Sequence, residues 1–196
     1  MTRVNGFGSA TLPVASMFLA ARGITVTVCL LTLLGYSSAH AQADSLHEPG
    51  PLSFRGFVAG ESLAAVAGAI RQRKAPGLRC THSRTDASVL ECRTIFTDAT
   101  DGARIEVWLS AIDSVTGILS LKSSGTPAQL EAWRSELRLR YGAVETKLQG
   151  PQRMMQWVRR GRMIRLTWRV DGPGPTMSVS LVDGHVLDAW GQRKRP

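Results

Sequence analysis

The chain has 196 residues, with 24 Lys and Arg against 15 Asp and Glu and a formal net charge of +9. That length supports one hydrophobic core, and the sequence carries no sign of a second folded domain. Twenty Arg against four Lys make the basic character an arginine character, and an excess of this size suggests a basic surface with an anionic partner.

The first forty-three residues read as an export signal. Arg22 precedes an apolar run from Ile24 to Leu34, and the small-residue pattern Ala39-His40-Ala41-Gln42-Ala43 follows, which places cleavage after Ala41 or Ala43. Met17 opens a conventional signal of the same kind, so it is a candidate for the true start. The run is too short for the roughly 20 apolar residues of a spanning helix, so no transmembrane segment is expected in the mature chain. The expected localisation is therefore periplasmic or secreted. Cleavage leaves a net charge of +7, unevenly placed: residues 44–150 hold thirteen basic and twelve acidic side chains, and residues 151–196 hold nine and three.

Residues 44–53, with Pro49-Gly-Pro51, read as a leader, and residues 54–190 as a single α+β domain. The first helix is signalled by Leu63, Val66, Ala67 and Ile70 at i, i+3, i+4 and i+7, capped by Ser62 or Gly60 and stopped by Ala75-Pro76-Gly77. Export removes Cys29 and leaves Cys80 and Cys92, placed symmetrically about a turn near Asp86. In an oxidising compartment the expectation is a cross-strand disulfide worth roughly 3 kcal/mol in the chain-entropy picture. The two cysteine segments, Arg104 to Ser110 and Val115 to Leu121 then read as four strands, the third with Ile105, Val107 and Leu109 alternating against Glu106 and Ser110.

Thr126, Pro127 and Gln129 form a capping box for a second helix, whose apolar stripe is Leu130, Trp133, Leu137 and Tyr141 and whose end is Gly142. Met154 to Arg160 and Met163 to Val170 predict a hairpin, and Met177 to Val182 a further strand that turns at Asp183-Gly184 and returns through His185 to Leu187. Residues 191–196 read as a basic tail. The predicted fold is an antiparallel β-sheet with two helices on one face, in the order α-β4-α-β3/4. Leu63 and Leu130 lie 67 positions apart, which suggests a tandem α-β repeat. In topology alone this order resembles the tandem repeats of secreted β-lactamase inhibitor proteins and the small periplasmic outer-membrane assembly lipoproteins. No residue signature of either accompanies the resemblance, so it carries no function.

Two groups contain residue types of catalytic or metal sites. His82, Ser83 and Asp86 hold the chemistry of a hydrolase triad, but three residues in one hairpin loop lack the separate rigid elements a triad requires. In the group Asp183, His185 and Asp188, His185 and Asp188 would point to opposite faces of an extended strand, which argues against a metal site using both. No zinc-protease, phosphate-loop, nucleophile-elbow or calcium-loop motif is present, so the sequence assigns no catalytic residue, cofactor or metal. The hairpin from Arg153 to Val170 is the stronger candidate. Alternation puts Ile164, Leu166, Trp168 and Val170 on one face and Met163, Arg165, Thr167 and Arg169 on the other, with Trp157 and Met155 joining the apolar set and Gln156 and Arg160 the basic one. Arg160, Arg165 and Arg169 would then present guanidinium forks to an anionic envelope component or a protein partner. Nucleic acid is not expected, because the chain is exported and no aromatic ring stands on the polar face to stack bases. The sequence thus points to a non-catalytic binding, inhibitory or envelope-assembly module, with an envelope-acting hydrolase or a purely structural envelope protein as the alternatives.

Overall fold

The computed structural model describes residues 50–170 and 172–194, which belong to one compact unit, Glu48–Pro196. The export-signal reading, with Met17, Cys29, Ala41 and Ala43, lies outside the described residues.

The unit is α+β with three helices. It opens with a hairpin of two short strands, β1 (Ser53–Phe54) and β2 (Phe57–Val58), joined by Arg55-Gly56. Both turn residues have positive φ, 51° and 73°, the geometry of a two-residue turn whose twist matches that of the strands it joins. Helix α1 (Leu63–Gln72) follows, and the Ser62 hydroxyl accepts from the Ala65 amide to cap it. Four strands come next: β3 (Arg79–His82), β4 (Val89–Thr97), β5 (Arg104–Ile112) and β6 (Val115–Ser124). Helix α2 (Pro127–Tyr141) carries the full capping box, with Thr126 and Gln129 bonded reciprocally. Strands β7 (Lys147–Gln149), β8 (Gln152–Arg159), β9 (Arg162–Val170) and β10 (Pro175–Asp183) complete a single sheet, and helix α3 (Gly184–Arg193) ends the described chain.

Eight strands make one antiparallel sheet in the order β3-β4-β5-β6-β10-β9-β8-β7. Each group of four is a meander, and the two groups meet where β6 and β10 pair. Alternate residues of the central strands, among them Val107, Leu109, Leu119, Leu121, Ile164, Leu166, Val179 and Leu181, are buried in the same core as Val66 and Ile70 of α1 and Leu130, Trp133 and Leu137 of α2. At roughly 1.5–3 kcal/mol for each large side chain buried, this layer is the main source of stability. Cys80 and Cys92 are directly paired across β3 and β4 and form the disulfide.

The leading hairpin is fastened by charge as well as by Phe54 and Phe57. The Arg55 side chain is 7% exposed and lies 3.2 Å from Asp98, 3.0 Å from Asp101 and 3.1 Å from Glu136. Its guanidinium also stands over the rings of Phe54 and Trp133, 5.4 and 6.0 Å from their centroids. Asp101 in turn accepts from the Trp133 indole at 3.1 Å, and the Arg55 carbonyl accepts from Arg73 at the end of α1. One buried cation therefore ties the hairpin to the β4–β5 turn and to α2. Tyr141 closes the other side, its hydroxyl bonded to the Ser53 backbone.

Three expectations change here. The packed unit begins earlier than residue 54, since Leu52 is buried and Ser53 lies in β1. The return strand through His185 to Leu187 is instead the first turn of α3, and the helix runs on through Arg193 into what reads as a basic tail. The reason is local: Asp183 caps the helix by accepting from the Val186 amide at 3.2 Å, and Val186, Leu187 and Trp190 recur at helical spacing. Moreover, α3 packs on the opposite side of the sheet from α1 and α2. Val89 and Ile112 share a face with Glu91 and Ser110 by two-residue periodicity, yet both are buried. Over that end of the sheet, Val186 and Leu187 of α3 crowd Gly117 together with Ile112.

Candidate functional site: the open face of the sheet

Beyond the end covered by α3, the sheet face away from α1 and α2 is half-buried to exposed along its strands. Strand pairing sets its side chains in rows. One row reads Arg79, Arg93, Trp108, Ser120, Ser180, Arg165, Gln156 from edge to edge. The next reads Ile95, Glu106, Lys122, Ser178, Thr167, Met154.

The first row is tall at its flanks and low in the middle, whereas in the second Lys122 rises from the central strand β6 beside Ser178. Ser120 and Ser180, on the two central strands, bond hydroxyl to hydroxyl at 2.9 Å, while Trp108 on β5 and Arg165 on β9 stand to either side. The result is a hydroxyl-floored trough along the junction of β6 and β10. At one end it deepens into a cleft of ≈ 290 Å³ lined by Lys122, Thr167, Arg169, Thr176 and Ser178. Two cations beside three hydroxyls suit a carboxylate, sulfate or phosphate group, which takes charge-assisted bonds from the former and neutral bonds from the latter.

Of the three arginines singled out from the sequence, Arg165 and Arg169 do share this face. Arg165 is half-buried rather than fully exposed, because its Nε and Nη2 both donate to Gln156 Oε1, at 3.0 and 2.8 Å. That pair spans β8 and β9 and fixes the plane of the guanidinium. Arg160 lies outside the strands, in the turn with Gly161, and has φ of 47°. Its carbonyl is bonded to His185 Nε2 at 2.9 Å, which draws the turn under α3. Trp157 and Trp168 face the core and are buried, as alternation predicts.

The two tempting polar groups are engaged elsewhere. His82 Nδ1 is bonded to the Ala87 carbonyl at 2.8 Å and Ser83 to Thr85. Asp86 is bound by Lys194 at 2.9 Å, by the Ser88 hydroxyl and amide at 2.7 and 2.9 Å, and by the Trp190 indole at 2.7 Å. With Lys194 foremost, these partners hold its carboxyl well below the usual carboxylate range. Asp86 is therefore the socket into which the end of α3 docks. Asp183 is 1% exposed. Burial alone would raise its carboxyl, but the Arg162 guanidinium at 2.7 Å and the Val186 amide together hold it below its ordinary value. Asp188 is exposed on α3, three residues after His185, so the helix sets these two on one side where an extended strand would have separated them. Among the described residues no three His, Cys, Asp or Glu side chains are grouped to hold a metal ion, and no helix is long and apolar enough to cross a membrane.

Sequence reasoning missed Trp108, Lys122 and the serine floor, although a signal was present. Ser178-Val-Ser180 alternates small hydroxyl residues with a core residue, and on β6 Ser120 and Ser124 flank Lys122 on the outer face while Leu121 and Ser123 are buried, so the outer face is low except at Lys122. Only strand order puts the two runs side by side. The chain matches no family model, no curated protein and no solved structure.

Proposed function

We propose that this protein is an exported, non-catalytic binding module that presents the open face of its sheet to an anionic partner. The observation that carries the reading is the trough: a large face of an eight-stranded sheet left without a covering layer, low and hydroxylic along its centre, with Trp108 on one bank and Arg165 and Arg169 on the other. An open sheet face with an aromatic on one bank and arginines on the other has the residue types that dominate binding energy at interfaces. The two α-then-meander halves, joined at β6 and β10, further support reading the chain as a tandem of two like units, so that the trough is their junction. Export supports a partner in the envelope or outside the cell, where acidic polysaccharide, anionic lipid headgroups and acidic proteins share the chemistry the trough fits.

The test compares two double reversals of equal charge change. Lys122→Glu/Arg169→Glu alters the trough, and Arg71→Glu/Arg84→Glu alters exposed positions on α1 and in the β3–β4 loop. Each is measured against phosphatidylglycerol vesicles, a sulfated polysaccharide and the acidic proteins of the exported fraction. The trough variant should lose about tenfold or more in affinity for the probe that binds, and binding should weaken with salt, as exposed charges are screened beyond about 8 Å at physiological ionic strength. Equal loss in both variants would mean that net charge alone attracts the probe, and the reading would fall.

A further inference from the structure

Strand β3 is less than half as long as the strand it pairs with. It engages only Leu90 to Arg93 of β4, because Pro76-Gly77 turn the incoming chain before it can continue the ladder. From Thr94 to Thr97, β4 is paired with β5 on one side and, among the described residues, with no strand on the other.

The direction of the backbone groups there follows from their neighbours. Within a strand, the N–H and C=O of one residue point to the same side, and successive residues alternate. The Val89 carbonyl accepts from the Ser83 amide on the β3 side at 2.8 Å, whereas the Asp98 amide donates to Ala103 on the β5 side at 2.8 Å. Odd-numbered residues of β4 therefore address the β3 side. Ile95 and Thr97 aim their donors and acceptors at the uncovered edge.

That edge is a groove. A cleft of ≈ 290 Å³ runs between Pro76-Gly77 and Ile95, with Val107 in its wall and Arg79 and Arg93 on its rim. It shares Pro76 and Ile95 with a second concavity of ≈ 540 Å³ that adds Lys74, Thr97 and Arg104. The Ile95 side chain is partly exposed on the same edge. Five cations line the two clefts: Arg73 is turned onto the Phe57 ring and the Arg55 carbonyl, and Lys74, Arg79, Arg93 and Arg104 border the strip of unpaired backbone, with Glu106 the one carboxylate in the lining.

We propose that the β4 edge is a strand-addition site for an extended acidic peptide segment of a partner protein. Backbone bonds to Ile95 and Thr97 would supply affinity. Acidic side chains on the arginine side and apolar ones against Pro76 and Val107 would supply selectivity. This site is separate from the trough and stands or falls independently of it. The rival account is that the short outer strand and its basic rim protect the edge from pairing, a common device in natural sheets.

The experiment uses three fluorescein-labelled ten-residue peptides: one alternating Val and Glu, one alternating Val and Lys, and the Val/Glu peptide with Pro at its centre. Binding is followed by anisotropy, and backbone engagement by amide hydrogen exchange on the wild-type chain. The Val/Glu peptide should bind at least about tenfold more tightly than either comparison peptide, and it should slow exchange at Ile95 and Thr97. Arg93→Glu/Arg104→Glu should weaken it about tenfold, whereas Lys122→Glu/Arg169→Glu should leave it unchanged. Ile95→Pro removes one outward donor while sparing the bonds that even-numbered residues make to β5, and should weaken binding by a similar factor. Should that variant fail to fold, the wild-type exchange pattern decides. Absence of binding, indifference to peptide charge, or protection located elsewhere would overturn the proposal and leave the edge as merely guarded.

Discussion

Arg55 and the cations of the trough are the same chemistry put to opposite uses. Arg55 is 7% exposed and faces three carboxylates and two aromatic rings. Lys122 and Arg169 are exposed beside hydroxyl groups at the mouth of a cleft. What separates them is the set of groups the topology brings alongside. The β4–β5 turn and α2 deliver Asp98, Asp101 and Glu136 to a buried Arg55, whereas Lys122 stands exposed between Glu106 and Ser178 on the neighbouring strands. The near balance of charge in residues 44–150 and the excess in residues 151–196 reflect this in part, since the first region's acids are drawn on to fasten its own hairpin. A buried ion pair holds structure together, whereas an exposed cation adds little to stability and can be changed without loss of the fold.

The largest expected effect is therefore at Arg55. Arg55→Met should destabilise the fold by about 3–5 kcal/mol, because three carboxylates are left without their cation, and urea denaturation measures it. Lys122→Glu/Arg169→Glu should move the same curve by no more than about 0.5 kcal/mol. A stability loss at the trough equal to that at Arg55 would erase the distinction. Next comes the disulfide. Cys80→Ala should lower stability by about 2–5 kcal/mol, and the oxidised protein should show no titratable thiol from Cys80 or Cys92.

A smaller effect concerns acid. Asp86 and Asp183 are both held below the ordinary carboxylate range in the folded protein. A depressed carboxyl contributes stability that is complete above its unfolded value near 4 and is lost as pH falls through the folded one. Stability should then be insensitive to these two groups from pH 7 to about pH 5 and decline below about pH 4. Asp183→Asn should shrink the decline, as followed by thermal unfolding across the range. The smallest effect is expected for Trp190→Phe, which removes one hydrogen bond to Asp86 and should loosen α3 without changing the sheet. Hydrogen exchange would then rise along α3 alone.

How far the sequence could be read depends on the range of the interaction. The capping box of α2, the stop at Pro76-Gly77 and the face assignment of Trp157 and Trp168 are local, and the structure carries each of them. The Cys80–Cys92 pairing was legible because its two strands share one hairpin. Asp183-Gly184 was misread because the same dipeptide serves a hairpin turn and a helix cap, and the later Val186, Leu187 and Trp190 decide between them. Arg55 gave no warning, since the acids that surround it are 43, 46 and 81 positions away. The trough was hidden for the same reason: Ser120 and Ser180 are 60 residues apart and meet only through the β6–β10 pairing.

The central claim is that the open face is the working surface, and the indole signals of the five tryptophans offer the most direct measurement of it. Trp108 alone among them stands on that face within the strands, while Trp133, Trp157 and Trp168 are buried on the other side and Trp190 belongs to α3. In an NMR titration with the anionic probe of highest affinity, the account predicts a saturable shift of the Trp108 indole, together with the amides of Lys122, Thr167 and Ser178, and little movement of Trp133 and Trp157, which lie away from the cleft. A titration that saturates while Trp108 stays unmoved, or that perturbs α3 and the buried indoles instead, would contradict it.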